Sequence, residues 1–241
     1  MEFLKNREKR AFFGTMSLLF PLVFAIGLLG SSCTGFFSTS LAAWAKRDPH
    51  SLIPPVNAGN IDELVNNLFI ADDPDLSLAL LENIDAAMDD ASDEDKEILQ
   101  NAALEVAVNA SGLGLAAMGL LDDLDSVQDD PKSAIIDAIN GADNLEASSE
   151  LLCSILEGYD PYNENVSPED LAYAAIVLLA AEAKKAENEP GGVDGYIDDF
   201  ANRSPNPGAE QLAIDLATAA LDGAGDTSGP LWDTLRDLGL I

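Results

Sequence analysis

Along most of this chain, apolar residues recur every three or four positions. That spacing is the period of an α-helix with one buried face. A clear example follows Asp73-Pro74, where one face collects Leu76, Leu80, Ile84 and Met88. No long run alternates apolar and polar residues as a half-buried strand would. The pattern therefore predicts helix for almost all of the chain beyond Cys33.

Capping residues and helix breakers divide this pattern into segments. Asn60, Ser92 and Ser167 are residues of the kind that cap helix N-termini, and Pro168 suits a first helical turn. Glycines and prolines mark most of the ends. The predicted helices cover residues 41–47, 61–69, 74–88, 93–110, 113–124, 133–140, 145–156, 168–188, 193–201, 209–221 and 230–238.

Short connections between these helices predict the fold class. Neighbouring helices joined by a few residues pack antiparallel, so we expect an all-α fold of helical hairpins. Asp73-Pro74, Asp130-Pro131 and Ser167-Pro168 each open a helix, in a manner that resembles tetratricopeptide-type repeats. A strict period of roughly 34 residues is missing. The hairpins are therefore expected to form either an irregular bundle or a degenerate array of the tetratricopeptide type.

The N-terminal segment has the order of a secretory signal. Four basic residues within positions 5–10 precede an apolar run over 11–29, and Gly30-Ser31-Ser32 leads to Cys33. The stretch from Leu28 to Cys33 resembles the lipobox of bacterial lipoproteins, with its apolar residue displaced by one position, as in looser spirochaetal versions. This resemblance implies that Cys33 is diacylated and becomes the first residue of the mature protein. A retained membrane helix and an ordinary cleaved signal are the alternatives, and all three export the body.

These features predict three parts: a signal peptide over 1–32, a lipidated tether with a short helix and a Pro-rich connector over 33–59, and an all-helical domain over 60–241. The chain has two cysteines, Cys33 and Cys153. If Cys33 carries the lipid, Cys153 has no partner for an intramolecular disulfide. We expect its thiol to behave as a small buried apolar group.

Charge restricts the range of partners. The chain carries a formal net charge of −31, and the predicted signal peptide removes more basic than acidic residues. Such acidity excludes nucleic acid as a partner, because binding to it depends on lysine and arginine at the phosphates. It also disfavours docking on anionic lipid. Three origins of the acidity stay open: solubility, a saline or alkaline habitat, and binding of calcium or a cationic partner.

Few residues are suited to catalysis. His50 is the single histidine and lies in the Pro-rich connector, so a histidine relay would depend on one connector residue. Two cysteines cannot form a structural zinc site. Neither carboxylate cluster matches a calcium-binding loop; the clusters are Asp89, Asp90, Asp93 and Asp95, and Asp122, Asp123, Asp125, Asp129 and Asp130. We therefore expect no enzymatic activity, no cofactor and no metal site.

Aromatic residues supply the remaining candidates for contact. Trp44 follows the expected anchor and is placed near the membrane interface, whereas Trp232 is expected in the core. Tyr159 and Tyr162 flank the turn at Asp160-Pro161 and are the best aromatic candidates for an exposed contact point.

Together these observations predict a lipid-anchored protein of the cell envelope, held at the inner or outer membrane with its body in the periplasm or at the cell surface. The leading expectation is a non-enzymatic helical scaffold that binds an envelope protein. The alternative is a periplasmic carrier, or an accessory of a TRAP-type solute transporter, that binds a small molecule or lipid between helices. Asp72 to Leu76 resembles the acidic-Pro helix opening of helical-repeat lipoproteins that associate with such transporters. A carrier needs an apolar cavity above about 300 Å³.

Overall fold

The computed structural model describes residues 48–114, 131–162 and 165–241. Within these ranges every regular element is helical, which confirms the all-α prediction. The α-helices there are α1 (Ile61–Val65), α2 (Leu68–Ala71), α3 (Pro74–Met88), α4 (Asp93–Ala110), α5 (Pro131–Gly141), α6 (Leu145–Ile155), α7 (Pro168–Lys185), α8 (Gly192–Phe200), α9 (Ala209–Gly223) and α10 (Pro230–Asp237). Two short 3-10 helices cover Pro49–Leu52 and Ala186–Asn188.

Helix α7 is the centre of this body. It contacts α4, α5, α6, α8, α9 and α10, and its most extensive contact is with α9. Buried alanines on α7 and α9 leave little side-chain volume between the two helices, so their backbones approach closely. In a repeat array each unit would touch only its neighbours. The helices that pack around α7 instead form an irregular bundle, one of the two arrangements predicted.

The predicted helix over 61–69 is wrong in one respect, because it is broken into α1 and α2 at Asn66 and Asn67. The side chain of Asn67 accepts a hydrogen bond from the backbone N–H of Phe69 at 3.0 Å and so caps a new helix. Asn66 donates from its side chain to the carbonyl of Asp62. Asparagine side chains compete for backbone groups in this way, and here they end one helix and start the next.

Asn60 precedes α1 but does not cap it with its side chain, contrary to the sequence-based prediction. Its amide instead donates to the carbonyl of Pro55 and accepts from the N–H of Asn57. The Pro-rich connector is therefore fastened to the start of α1. It begins as a 3-10 helix and buries Ile53 in the core, so it is not extended throughout.

The caps predicted at Ser92 and Ser167 are confirmed. The hydroxyl of Ser92 accepts from the N–H of Asp95, and the hydroxyl of Ser167 accepts from the N–H of Asp170 at 3.2 Å. At α3, a carboxylate oxygen of Asp73 plays the same part. Each cap satisfies backbone donors that have no partner within the helix.

Replacing Ser167 by alanine is expected to lower the free energy of unfolding by about 1 kcal/mol, because the first turn of α7 loses its side-chain acceptor. Urea unfolding followed by circular dichroism measures the change. Ser167→Asp is the matched control, since it restores an acceptor and should keep the stability near that of the parent. Equal losses in both variants would show that the hydroxyl is not acting as a cap.

Three predicted segments lie wholly or mostly outside the described residues: the signal peptide, the helix over 41–47, and the helix over 113–124 beyond Gly114. Within the residues that are described, none of the helices combines the length and apolar character needed to cross a bilayer.

Candidate functional site

A polar cleft of about 430 Å³ lies where the end of α7, helix α8 and the start of α9 meet. Most of the side chains around it are charged or polar. Its lining consists of Glu182, Lys185, Ala186, Glu189, Pro190, Gly192, Gly195, Tyr196, Asp199, Arg203, Asn206 and Glu210.

Gly192 and Gly195 of α8 line the cleft, and Gly191 forms the turn before them. Gly191 has a φ of +99°, in the left-handed region that side chains rarely adopt. A Cβ atom at Gly191 would lie 3.2 Å from the Cα atom of Gly195, one turn into α8. The chain therefore reverses tightly here, and α8 starts directly beside the end of α7.

Glu210 forms the floor of the cleft and is only 2% exposed. Arg203 binds its carboxylate with both η nitrogens, at 2.8 Å to Oε2 and 2.6 Å to Oε1. The hydroxyl of Tyr196 donates to Oε1 at 2.6 Å. Asn206 donates its backbone N–H to Oε2 at 2.6 Å and its side-chain amide to Oε1 at 3.0 Å. A buried carboxylate thus receives five hydrogen bonds, and we refer to these four residues as the Glu210 network.

Aromatic rings hold the guanidinium of Arg203 from the side. Its Cζ atom lies 5.2 Å from the ring centre of Tyr196 and 5.4 Å from that of Phe200. The two rings stack with centres 6.1 Å apart. Cation–π contacts of this length add to the ion pair and restrict the rotamers of Arg203.

The electrostatics of the network favour its charged form. Burial by itself would raise the pKa of Glu210, but hydrogen bonds from Arg203, the Asn206 N–H and Tyr196 outweigh burial and lower it to about 2. The hydrogen bond to Glu210 also raises the pKa of Arg203. Burial, followed by the bond to Glu210, raises the pKa of Tyr196. All three groups therefore keep their protonation states across the physiological range.

These properties limit what the network does chemically. Both carboxylate oxygens and both η nitrogens are already engaged, so neither side of the ion pair is poised to attack a substrate or transfer a proton at neutral pH. The bonds from Arg203 and Asn206 instead attach the loop between α8 and α9 to the first turn of α9. The Glu210 network is a clip that fixes this end of the bundle.

Low pH should reduce the contribution of the Glu210 network to stability, because the direction of that change follows from the pKa shift of Glu210. The folded-state pKa of Glu210 is lowered, so its contribution is present above its unfolded pKa and is lost as the pH falls toward about 2. Glu105 and Asp170 have the opposite sign, because burial and then neighbouring carboxylates raise the pKa of Glu105, and burial raises that of Asp170 despite the bond from Ser167. Their protonation favours the folded chain as the pH falls from neutral.

We therefore expect the free energy of unfolding to fall by about 2 kcal/mol between about pH 5 and pH 2 as Glu210 protonates. Urea unfolding across this pH range measures the profile. In Glu210→Gln the acid loss should be much smaller, because the titrating carboxylate is gone. A parent protein that gains stability steadily down to pH 3 would contradict the assignment.

The structure places the candidate residues predicted from the sequence in different parts of the fold. His50 does not line the cleft; its Nε2 atom lies 2.5 Å from Oε2 of Glu82 on α3. Trp232 is buried in the core, as predicted. Cys153 is half-buried against the core as a free thiol, and burial raises its pKa. Cys33 and the other residues before position 48, Trp44 included, lie outside the described residues.

The two tyrosines beside the Asp160-Pro161 turn behave differently. Tyr162 is exposed, as predicted. Tyr159 is half-buried and donates its hydroxyl to Oδ1 of Asn101 on α4, so its expected role in an exposed contact is wrong. Burial also raises the pKa of Tyr159. Its hydrogen bond ties the loop to α4 instead.

Carboxylates do not converge into a metal-binding group in the part of the chain that the structure describes. In the predicted cluster, Asp89 and Asp90 follow the end of α3, and Asp93 and Asp95 lie in the first turn of α4. The second cluster, from Asp122 to Asp130, lies outside the described residues.

An exposed apolar pair, Leu68 and Phe69, is a second feature that the helical pattern did not reveal. Leu68 is 75% exposed and Phe69 is 58% exposed, although both are large apolar side chains. Single exposed apolar residues are common on protein surfaces, but adjacent large ones mark contact surfaces more often. We call these two residues the apolar pair.

No family model, curated protein or solved structure matches this chain. The cleft exceeds the volume expected for a carrier, but its lining is mostly charged and polar. It therefore does not supply the apolar cavity that the carrier hypothesis requires.

Proposed function

We propose that this chain is a lipid-anchored protein of the cell envelope that acts as a non-enzymatic helical interaction scaffold. The N-terminal signal and Cys33 supply the anchor in this proposal, and the bundle around α7 supplies the binding surface. The apolar pair is the observation that carries the scaffold role, because it presents two large apolar side chains to solvent on a fixed helical body.

Rigidity supports the binding role. Residues 177–181 of α7 are all buried, and the Glu210 network clips the loop between α8 and α9. A surface that is already ordered loses less conformational entropy when a partner binds. The bundle therefore suits stable presentation of a contact surface.

The lipid has a physical role in the proposal. A body this acidic is repelled by anionic lipid headgroups, so electrostatics alone would not hold it at a membrane. Two acyl chains on Cys33 would, since dual acylation gives stable anchoring where a single chain is marginal. The protein then works at the inner or outer membrane, with its body in the periplasm or at the cell surface.

Replacing Cys33 by serine should move the protein out of the membrane fraction. The full chain and the variant are produced in a bacterial host, fractionated and compared, and mass spectrometry identifies the mature N-terminus. We expect acylated Cys33 as the first residue of the parent and at least a tenfold loss of membrane association in the variant, consistent with about 0.8 kcal/mol per buried CH₂ of lipid.

Cys153→Ser is the matched control, because it removes the other thiol and should leave membrane association unchanged. Equal partitioning of the parent and Cys33→Ser, together with an unmodified Cys33 in the parent, would favour a retained membrane helix. A mature chain that starts elsewhere and lacks lipid would favour plain secretion. Either outcome removes the acyl anchor from the proposal.

The scaffold role is tested separately by crosslinking in the envelope. The full chain should be recovered in a stoichiometric complex with a protein partner. Native mass spectrometry of the same material shows whether a small molecule is bound instead. A bound lipid or solute without a protein partner would support the carrier, including an accessory role in a TRAP-type transporter, and would overturn the scaffold.

A further inference from the structure

We infer that the apolar pair docks a basic amphipathic segment of a partner protein, whose apolar face covers Leu68 and Phe69 while its lysines and arginines meet the surrounding carboxylates. This inference rests on the proposed function and names the chemistry of the partner.

The apolar pair is presented by a fixed backbone. Asn67 caps α2 from the N-terminal side, and Ile70, the next residue after the pair, is buried in the core. The buried hydroxyl of Ser77 on α3 donates to the carbonyl of Ile70 at 2.9 Å. The turn is therefore anchored from beneath, and the exposure of Leu68 and Phe69 is a property of the folded surface.

Carboxylates flank the apolar pair on both sides along the chain. Asp62 and Glu63 lie on α1, and Asp72 is the C-cap of α2, where its backbone N–H donates to the carbonyl of Leu68 at 3.0 Å. All three acids are exposed, and none forms an ion pair with a described residue. The apolar pair thus has acidic residues before and after it along the chain, and these acids form no ion pair within the described residues; we call Asp62, Glu63 and Asp72 the acidic border.

The acidic border belongs to a wider field. Residues 48–114 contain fifteen aspartates and glutamates against one lysine, Lys96. A negative field of this extent attracts basic partners from a distance and raises their association rate. It also offers many carboxylates to the cations of a bound partner.

Charge distinguishes between the candidates for the occupant. A second copy of this chain would bring the same carboxylates to the interface, and like charges there are strongly unfavourable. Anionic lipid is repelled in the same way. An amphipathic segment with an apolar face and lysine or arginine at its edges matches both the apolar pair and its border.

A synthetic amphipathic peptide tests this assignment. The probe is a fluorescent helix of about fourteen leucines and lysines, titrated with the full acylated chain in uncharged detergent and followed by fluorescence anisotropy. We expect Leu68→Ser/Phe69→Ser to raise the Kd at least tenfold, since truncating buried contact residues commonly costs this much. Asp62→Asn/Glu63→Gln/Asp72→Asn should also raise the Kd and reduce its dependence on salt.

Leu221→Ser is the matched control. Leu221 is 38% exposed and lies on α9, which packs on α6 and α7, whereas α2 packs on α1 and α3. Its Kd should stay within twofold of the parent. Leu68→Ser alone changes the more exposed member of the pair. The midpoint of its unfolding in urea shows whether this variant is folded when its Kd is measured.

Three outcomes of the binding measurements would overturn the inference. Equal Kd values for the parent and Leu68→Ser/Phe69→Ser would mean that charge alone attracts the peptide. A parent dimer that the double variant abolishes would assign the apolar pair to a second copy. Binding to phosphatidylglycerol vesicles that the double variant abolishes would assign the apolar pair to lipid.

Crosslinking in the envelope separates failure of this inference from failure of the proposed function. If envelope partners crosslink equally well to the double variant, the apolar pair is not the binding surface, but the scaffold role is kept. If no partner crosslinks to the parent, the proposed function itself fails.

Discussion

Replacing Glu210 by alanine is expected to lower the free energy of unfolding by about 3 kcal/mol, the size of loss seen when one partner of a buried ion pair is removed. The variant leaves Arg203, the Asn206 N–H and the Tyr196 hydroxyl without their shared acceptor. Arg203 is partly exposed and regains some water, which keeps the loss at the lower end of the range for such pairs. Urea unfolding at neutral pH measures it.

Asp215→Ala is the control on the same helix. Asp215 is exposed and accepts one hydrogen bond, from Gln211, so its removal should change the stability by no more than about 0.5 kcal/mol. Arg203→Met provides a second test, because it leaves the buried carboxylate of Glu210 without its cationic partner. It should lower the free energy of unfolding by at least as much as the loss of Glu210 does. Losses near that of Asp215→Ala in both variants would show that the Glu210 network does not clip the loop.

The sequence predicted most of the helices because their signals are local. Periodic apolar positions, Ser-Pro and Asp-Pro openings, and terminal glycines act within a few residues of each other. The errors came from asparagines, which bond the backbone in several ways. Asn67 starts a helix inside a periodic stretch, and Asn60 holds the connector instead of capping α1. Which backbone group an asparagine side chain bonds depends on the tertiary structure around it.

The Glu210 network was not predicted because the sequence does not identify the carboxylate that Arg203 selects. Asp198 and Asp199 are nearer along the chain than Glu210, and acids are abundant throughout. The usable signal was the scarcity of bases: after Lys185 the chain has only Arg203 and Arg236, and each forms an ion pair. In a segment this acidic, each of these two arginines is informative about structure.

The apolar pair escaped prediction for a different reason. Periodicity predicts that an apolar residue faces the core, but Leu68 and Phe69 face solvent because α2 has only four residues and buries Ile70 in their place. The exposure of an apolar side chain can be determined only when the positions of all the residues that could pack on it are known. Surface function is therefore harder to infer from periodicity than core position.

Leu178→Ala should destabilise the bundle by about 3 kcal/mol, within the usual range for deleting a buried leucine. Leu178 lies in the five consecutive buried residues of α7, so the helix is enclosed on all sides at this level. The measurement is the free energy of unfolding in urea. Leu221→Ala, on α9 and partly exposed, is the control and should lose less than about 1 kcal/mol.

Buried alanines on α7 and α9 keep the expected loss from being recovered by relaxation. Ala174, Ala175 and Ala181 are fully buried on α7, and Ala217 is fully buried on α9. Alanine has no side-chain torsion that could move into a vacated space, so the cavity closes only if whole helices shift, and the cost of a core truncation rises with the volume left empty. A loss below about 1 kcal/mol for Leu178→Ala would mean that α9 moves inward. The bundle would then be deformable around α7, and the rigidity argued for the scaffold would lose its support there.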